Sequence, residues 1–162
     1  MRIISMAFRS CLLLLLTMSI TNAADLAPDF SLPGRGQPIR LQALLGKVVY
    51  VDFWASWCQP CRASFPWMNK LQKRYGDQGL VVVAVNLDKS RELSDKFLDQ
   101  VPANFSIAYD PEGAVATAYH VNGMPSSYLI DRQGHMQSSH VGFHTDNADA
   151  LEASIKFLVQ QH

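Results

Sequence analysis

The stretch Val48-Val49-Tyr50-Val51-Asp52-Phe53-Trp54 is almost unbroken in its apolar character, and four residues beyond it begins Cys58-Gln59-Pro60-Cys61. A strand with one face in water alternates polar and apolar residues. This one does not, so it reads as a strand covered on both faces. From Gln59 to Tyr75 the pattern changes. Cys61, Phe65, Met68, Leu71 and Tyr75 recur at three- and four-residue spacing, which predicts an amphipathic helix. Pro66 lies inside it and predicts a kink. A strand buried on both sides, joined directly to a helix with one apolar face, requires layers of helix packed on a sheet. The two cysteines fall at the joint.

The rest of the chain alternates in the same manner. Leu80–Leu87 reads as a second buried strand. Ser90–Val101 reads as a helix with Ser90 or Asp88 as cap and Leu93, Phe97 and Leu98 facing inward. Phe105–Tyr109 follows as a short strand and Pro111–His120 as a short alanine-rich helix. Ser126–Ile130 and Met136–Val141 flank Asp131-Arg132-Gln133-Gly134, a glycine-containing loop of hairpin length. Asp146–Val159 closes the chain as an amphipathic helix. Ahead of the first strand, Ala27–Leu32 is an extended lead-in, Pro33–Pro38 is rich in turn formers, and Leu41–Leu45 makes a helical turn stopped by Gly46. The class is mixed α/β, with a central sheet flanked by helices. With 162 residues, 48% of them hydrophobic and 17% charged, one domain has ample material for a core. The formal net charge is zero, so no basic field exists to attract nucleic acid.

The first residues read differently. Arg2 and Arg9 precede or flank an apolar run from Cys11 to Ile20, and Thr21-Asn22-Ala23-Ala24 supplies small residues of the type signal peptidase accepts. Residues 1–23 read as a secretory signal, with cleavage near Ala23 or Ala24 and a mature domain over 24–162. The competing reading is a retained anchor, but the run is short of the roughly 20 residues that span a bilayer. Cys11 stands at the start of the apolar run, whereas a lipid-modified cysteine would follow it. Cleavage removes Cys11 and leaves Cys58 and Cys61 from a total of three cysteines.

A single bridge closing so short a loop gives little entropic stabilisation. Reactivity explains the pair better. A sulfur at a helix start lies in the positive end of the helix dipole, which favours the thiolate, and the thiolate is the attacking species in disulfide exchange. The alternative is half of a zinc site, but structural zinc needs about four ligands and no second cysteine pair exists.

Taken together, Val51-Asp52-Phe53-Trp54-Ala55-Ser56-Trp57-Cys58-Gln59-Pro60-Cys61, Pro66 and the later Gly123-Met124-Pro125-Ser126 resemble the thioredoxin superfamily. The opening Ala-Pro-Asp-Phe-Ser-Leu, Gly46-Lys47-Val48-Val49 and the Leu80–Val101 stretch are similar to its TlpA/ResA-like branch of exported thiol-disulfide oxidoreductases. The resemblance covers the mature chain. It implies a thioredoxin-like fold with an N-terminal extension and a central strand-helix insert. It also implies Cys58 as a partly exposed nucleophile, Cys61 as resolving thiol, and Asp52 as the buried proton acceptor for Cys61. Gln59 and Pro60 would tune the pair, Pro60 by offering no amide hydrogen to the sulfurs. Pro125 would be cis and face the cysteines. The Met124 backbone would pair with an extended substrate, and Trp57 would line the docking surface while Trp54 packs inside. Ala84 stands where thioredoxin usually has a lysine near the aspartate. Asp88 is a candidate for an acidic residue that approaches the site in this branch, or simply a helix cap.

The function these residues imply is reduction or exchange of protein disulfides through a Cys58/Cys61 cycle, with no cofactor. A membrane thiol carrier would supply electrons to a monomer in the periplasm or another exported compartment, and cytochrome c maturation is one use. A DsbA-like oxidant would use the same atoms with opposite poise, but the long helical insertion of that group is absent. A peroxiredoxin-like module would carry threonine three residues before its reactive cysteine, where this chain has Ala55. A copper-binding module would draw on His135, Met136, His140 and His144, which lie along a hairpin and loop without compact spacing.

Overall fold

The computed structural model describes residues 25–161. The signal-peptide reading of residues 1–23 falls outside that range. The chain begins with an antiparallel ribbon of β1 (Ser31–Leu32) and β2 (Ile39–Arg40), followed by a 3-10 turn over Leu41–Leu44. Then come β3 (Val48–Trp54), α1 (Gln59–Tyr75), β4 (Leu80–Asn86), α2 (Arg91–Gln100), β5 (Ser106–Tyr109) and α3 (Ala114–Ala118). The hairpin β6 (Ser126–Ile130) and β7 (Met136–Val141) leads into α4 (Thr145–Val159). The main sheet has the order β5-β4-β3-β6-β7. Strands β3, β4 and β5 run parallel, and β6 and β7 are antiparallel to their neighbours.

All seven residues of β3 are buried, which accounts for its unbroken apolar run. Its alternation divides the core. Val48, Tyr50 and Trp54 face the layer that contains Cys61, Phe65, Met68 and Leu71 of α1, Phe97 of α2 and Ile155 of α4. Val49, Val51 and Phe53 face the opposite layer, built from Phe30, Leu32, Leu41, Ala116 and Tyr119. Trp54, Phe65 and Phe97 meet at ring-centroid distances of 4.7–5.1 Å, in the edge-on and tilted geometries aromatic rings prefer.

The N-terminal segment straps the second face. Leu26 bridges His135 at the foot of β7, and Gly34 bridges Ala108 on the outer side of β5. Between these anchors Phe30 and Leu32 are buried. One segment thus gives backbone partners to parts of both sheet edges, which would otherwise present unpaired peptide groups.

The sequence expectations hold for element order and depart at three places. The stretch Pro111–His120 is helical only over Ala114–Ala118. Gly113 and His120 both take positive φ at its ends, and the Asp110 carboxylate accepts the Ala114 and Ala116 amide hydrogens at 3.1 and 2.9 Å. On α2, Leu93 is exposed and Ser94 is buried. Ser94 shares a face with Phe97 and Leu98, and Leu93 is turned about 100° away, as a period of 3.6 dictates. Ser90 precedes α2 without a side-chain cap bond, and Asp88 binds elsewhere. Helix α1 continues through Pro66, which lies on its exposed side.

At the end of the sheet away from the cysteines, Arg132 ties four segments together. Its guanidinium donates to the carbonyls of Gly46, Gln78, Val159 and Gln161 at 2.8–3.1 Å. Gly79 makes room for it. A Cβ there would lie 2.8 Å from the Arg132 Nη1, and the φ of +98° also favours glycine. Arg132→Ala is expected to destabilise the fold by about 2 kcal/mol in urea titration, with disulfide-exchange kinetics of the folded protein unchanged.

Candidate active site

Helix α1 starts where β3 has just delivered the chain to the edge of the core. Cys58 is the N-cap, with extended φ and ψ of −80° and 105°, and its sulfur accepts the Cys61 amide hydrogen at 3.2 Å. The N-cap position usually carries a serine, threonine or aspartate oxygen that binds the N3 amide. Here sulfur does so. Pro60, between them, has no amide hydrogen to compete. The two cysteines form a disulfide with Cα atoms 5.3 Å apart. Cys58 is only 4% exposed and Cys61 is fully buried. The sequence reading expected Cys58 to be more open. Gln59 and Pro60 are exposed beside it, and Trp57 stands out at 72% exposure.

Below the pair lies Asp52. It is 2% exposed and shares its face of β3 with Tyr50 and Trp54, the face that α1 covers. Its neighbours across the sheet are Ala84 on β4 and Ser127 on β6. Ala84 brings no charge, and Oδ2 of Asp52 has no hydrogen-bond partner. Desolvation therefore pushes the carboxyl well above its ordinary range. Burial, with the Asp52 charge adding to it, also holds the Tyr50 hydroxyl protonated.

The loop before Cys58 is clamped. Asp88 accepts hydrogen bonds from the Ser56 amide and hydroxyl, both at 2.9 Å, and from the Asn86 side chain at 2.8 Å. The Leu87 amide adds a bond to the Trp54 carbonyl at 2.9 Å. Asp88 is thus neither cap of α2 nor free at the surface. Ser56 and Asn86 were not singled out from the sequence. The signal was their position, at the C-terminal ends of two adjacent parallel strands, where sites form in such sheets.

The loop before β6 completes the surroundings. The Met124–Pro125 bond is cis, as the resemblance implied. The Ser126 hydroxyl donates to the Gly123 carbonyl at 2.7 Å, and the Gly142 amide to that of Pro125 at 2.7 Å. Met124 packs on the cluster that contains both cysteines. On the β6–β7 hairpin, His135 lies 3.6 Å from Asp131, and His140, paired across the sheet with Ser127, contacts Asn147 at 2.6 Å. Among the described residues, no three His, Cys, Asp or Glu side chains gather as metal ligands.

Residues 23–139, which include the strap, the cysteine pair and the cis-proline loop, match the AhpC/TSA family. The chain belongs to that family. Several of its relatives are named thiol-disulfide oxidoreductase ResA. It is 32% identical over 173 residues to the thiol-disulfide oxidoreductase ResA of Oceanobacillus iheyensis, covering 95% of this chain and 89% of the relative. To ResA of Bacillus subtilis it is 37% identical over 117 residues, 72% of this chain and 65% of the relative. The crystal structure of a putative thiol:disulfide interchange protein DsbE from Chlorobium tepidum superposes with a TM-score of 0.83 at 51% identity, over 85% of this chain and 98% of that one. The thioredoxin-like fold read from the sequence is thereby established. The protein is a ResA-like thiol-disulfide oxidoreductase, and the Cys58–Cys61 spacing fits a redox-active site.

The raised Asp52 carboxyl makes stability depend on pH. Its folded value lies above the unfolded 3.8, so the folded state binds the extra proton. Stability is full below the unfolded value and falls by about 1.4 kcal/mol per pH unit as pH rises towards the folded value. Asp52→Asn removes that loss. The melting temperature of Asp52→Asn relative to wild type is expected to rise between pH 3 and pH 8. Parallel curves would contradict the assignment.

Proposed function

We propose that the chain is exported and passes electrons to disulfides in other proteins. The observation that supports this most directly is the Cys58 sulfur at the N-terminus of α1, in one apolar cluster with Cys61 and Met124, above a buried carboxyl. In the reduced protein the helix start favours the Cys58 thiolate. That thiolate attacks one sulfur of a substrate disulfide, forming a mixed disulfide and releasing the other sulfur as a thiolate. Asp52 then takes the Cys61 proton, a task suited to a carboxylate made more basic by burial. Cys61 attacks the Cys58 sulfur and releases the second substrate thiol. Two electrons pass to the substrate, and the Cys58–Cys61 disulfide is left.

The docking surface in this reading is Trp57, the Met124 backbone and Pro125, with an extended substrate segment adding alongside as a strand does. Gln59 and Pro60 modulate the pair. A membrane thiol carrier re-reduces it, and apocytochrome c cysteines awaiting haem are one suitable substrate. The names ResA and DsbE among the relatives support the oxidoreductase part of this reading. The export step assigns residues 1–23 to a cleaved signal and 24–162 to one monomeric domain. Among the described residues no helix is long and apolar enough to cross a membrane.

Cys58→Ser is expected to abolish disulfide reduction with a thiol donor, and Cys61→Ser to accumulate mixed disulfides visible on non-reducing gels. Full activity in Cys58→Ser would sink the mechanism. A wild-type reduction potential near that of DsbA, about −120 mV, would reverse the direction of electron flow and favour the oxidant.

A further inference from the structure

A polar row crosses the layer beneath α1 and α4. Asp52 on β3 is paired across the sheet with Ser127 on β6, and Ser127 with His140 on β7. Residues directly opposite one another in antiparallel strands point to the same face, with Cβ atoms about 4.5–5.5 Å apart. The row therefore runs in two such steps from the buried carboxyl to the edge strand of the sheet. Asp52 is 2% exposed and Ser127 5%, while His140 is half-buried. On the other side of Asp52 stands Ala84 of β4, which has no polar side chain. Within its row of the sheet, the carboxyl can be reached by a side-chain hydrogen bond only from β6.

The outer end of the row is held. The Asn147 side chain of α4 meets Nε2 of His140 at 2.6 Å, and Oδ1 of Asn147 accepts the His144 amide hydrogen at 3.3 Å. That second bond assigns the Asn147 NH2 group to the ring, and an NH2 group only donates. Nε2 is then the acceptor, and in the neutral ring Nδ1 carries the hydrogen. A serine hydroxyl accepts two hydrogen bonds and donates one. Ser127 also faces the Tyr50 hydroxyl, which burial keeps protonated. With donors on both flanks, the Ser127 hydrogen has one acceptor left to serve in the row: Oδ2 of Asp52, which has no partner in the disulfide form. Of other titratable groups, α1 turns Cys61 towards this layer, and the start of α4 places His144 and Asp146, both exposed, next to Asn147.

We infer that Ser127 and His140 are positioning residues for proton transfer at Asp52: Ser127 donates to the Asp52 carboxylate once it is ionised, and His140, fixed by Asn147, donates in turn to Ser127. The hydrogen bonds point one way, from Asn147 through Nδ1 of His140 and the Ser127 hydroxyl to Asp52. The row therefore favours the negative charge that burial opposes. It keeps the carboxyl from holding its proton so tightly that it cannot accept one from Cys61. When Asp52 takes the Cys61 proton its charge is lost and the donation from Ser127 weakens; releasing the proton restores it. No electron or heavy atom moves along the row. The inference rests on the reading of Asp52 as acceptor for Cys61. One hydrogen bond to a charged group is strong enough to move an ionisation by about one pH unit. The outer link acts through a second bond, so its share is smaller.

The test follows the Asp52 carboxyl by carbon-13 NMR of aspartate-labelled oxidised protein, in which neither Cys58 nor Cys61 titrates. The resonance is assigned by its absence in Asp52→Asn. Ser127→Ala, Ser127→Gly, Ser127→Thr and His140→Ala are compared with wild type after thermal melts confirm folding. Ser127→Ala or Ser127→Gly, whichever folds, is expected to raise the Asp52 midpoint by about one pH unit, and His140→Ala by about half a unit, or threefold. Ser127→Thr keeps a hydroxyl and should stay within about 0.2 of wild type. A wild-type midpoint in the variants that lack the hydroxyl would overturn the proposal. So would an equal rise in Ser127→Thr, since packing rather than the hydroxyl would then be responsible. An unmoved midpoint in His140→Ala would overturn the part given to His140. The role of Asp52 itself is read separately, from the rate at which Cys61 resolves a mixed disulfide in Asp52→Asn. An unchanged rate there would sink that reading while leaving the titration shifts in place.

Discussion

The site depends on the burial of β3 on both faces. Because Val49, Val51 and Phe53 are held from one side and Tyr50, Asp52 and Trp54 from the other, the strand cannot slip by one residue without exchanging the two sets between differently packed layers. That fixes the height at which the chain leaves the sheet. Four residues later Cys58 caps α1, and the same register carries Asp52 under the layer that holds Cys61. A sulfur exposed to the helix dipole and a carboxyl starved of water are thus products of one packing constraint.

Electrostatics at the site is governed by what is missing around each group. Asp52 has Ala84 and Ser127 for neighbours and no cation, so desolvation decides its protonation. Asp88 is buried to a similar degree but receives three hydrogen-bond donors. Two aspartates at the same end of the sheet therefore differ: Asp52 leaves Oδ2 unpaired and is pushed up by desolvation, while Asp88 accepts three hydrogen bonds. Their difference follows from hydrogen bonding rather than from depth.

The remaining architecture protects this arrangement. The strap from Leu26 to Arg35 pairs beside both outer strands and covers the face opposite the cysteines. Arg132 closes the far end by joining the β6–β7 turn to the starts of β3 and β4 and to the end of α4. Function is concentrated at one end of the sheet and cross-linking at the other, so loops near the cysteines can be shaped by exchange chemistry while the frame is held elsewhere.

Strand β3, helix α1 and the hairpin were legible in the sequence because each carries a strong period: unbroken apolar residues, three-and-four spacing, and a glycine turn between two strands. The cysteine pair was legible because its chemistry is local to four residues. The short helix α3 was misjudged in length because its start is set by the Asp110 carboxylate and by positive φ at Gly113, and Leu93 because Ser94 took the inward position. The sequence by itself determined which two cysteines stand at a spacing that fits a redox-active site and which strand lies at the centre, since spacing and hydrophobicity are properties of neighbours along the chain. Only the tertiary structure decided that Asp88 grips Ser56, 32 residues away, and that Oδ2 of Asp52 lacks a hydrogen-bond partner. Partnership between distant polar groups depends on strand register and burial, and neither is written in any local pattern.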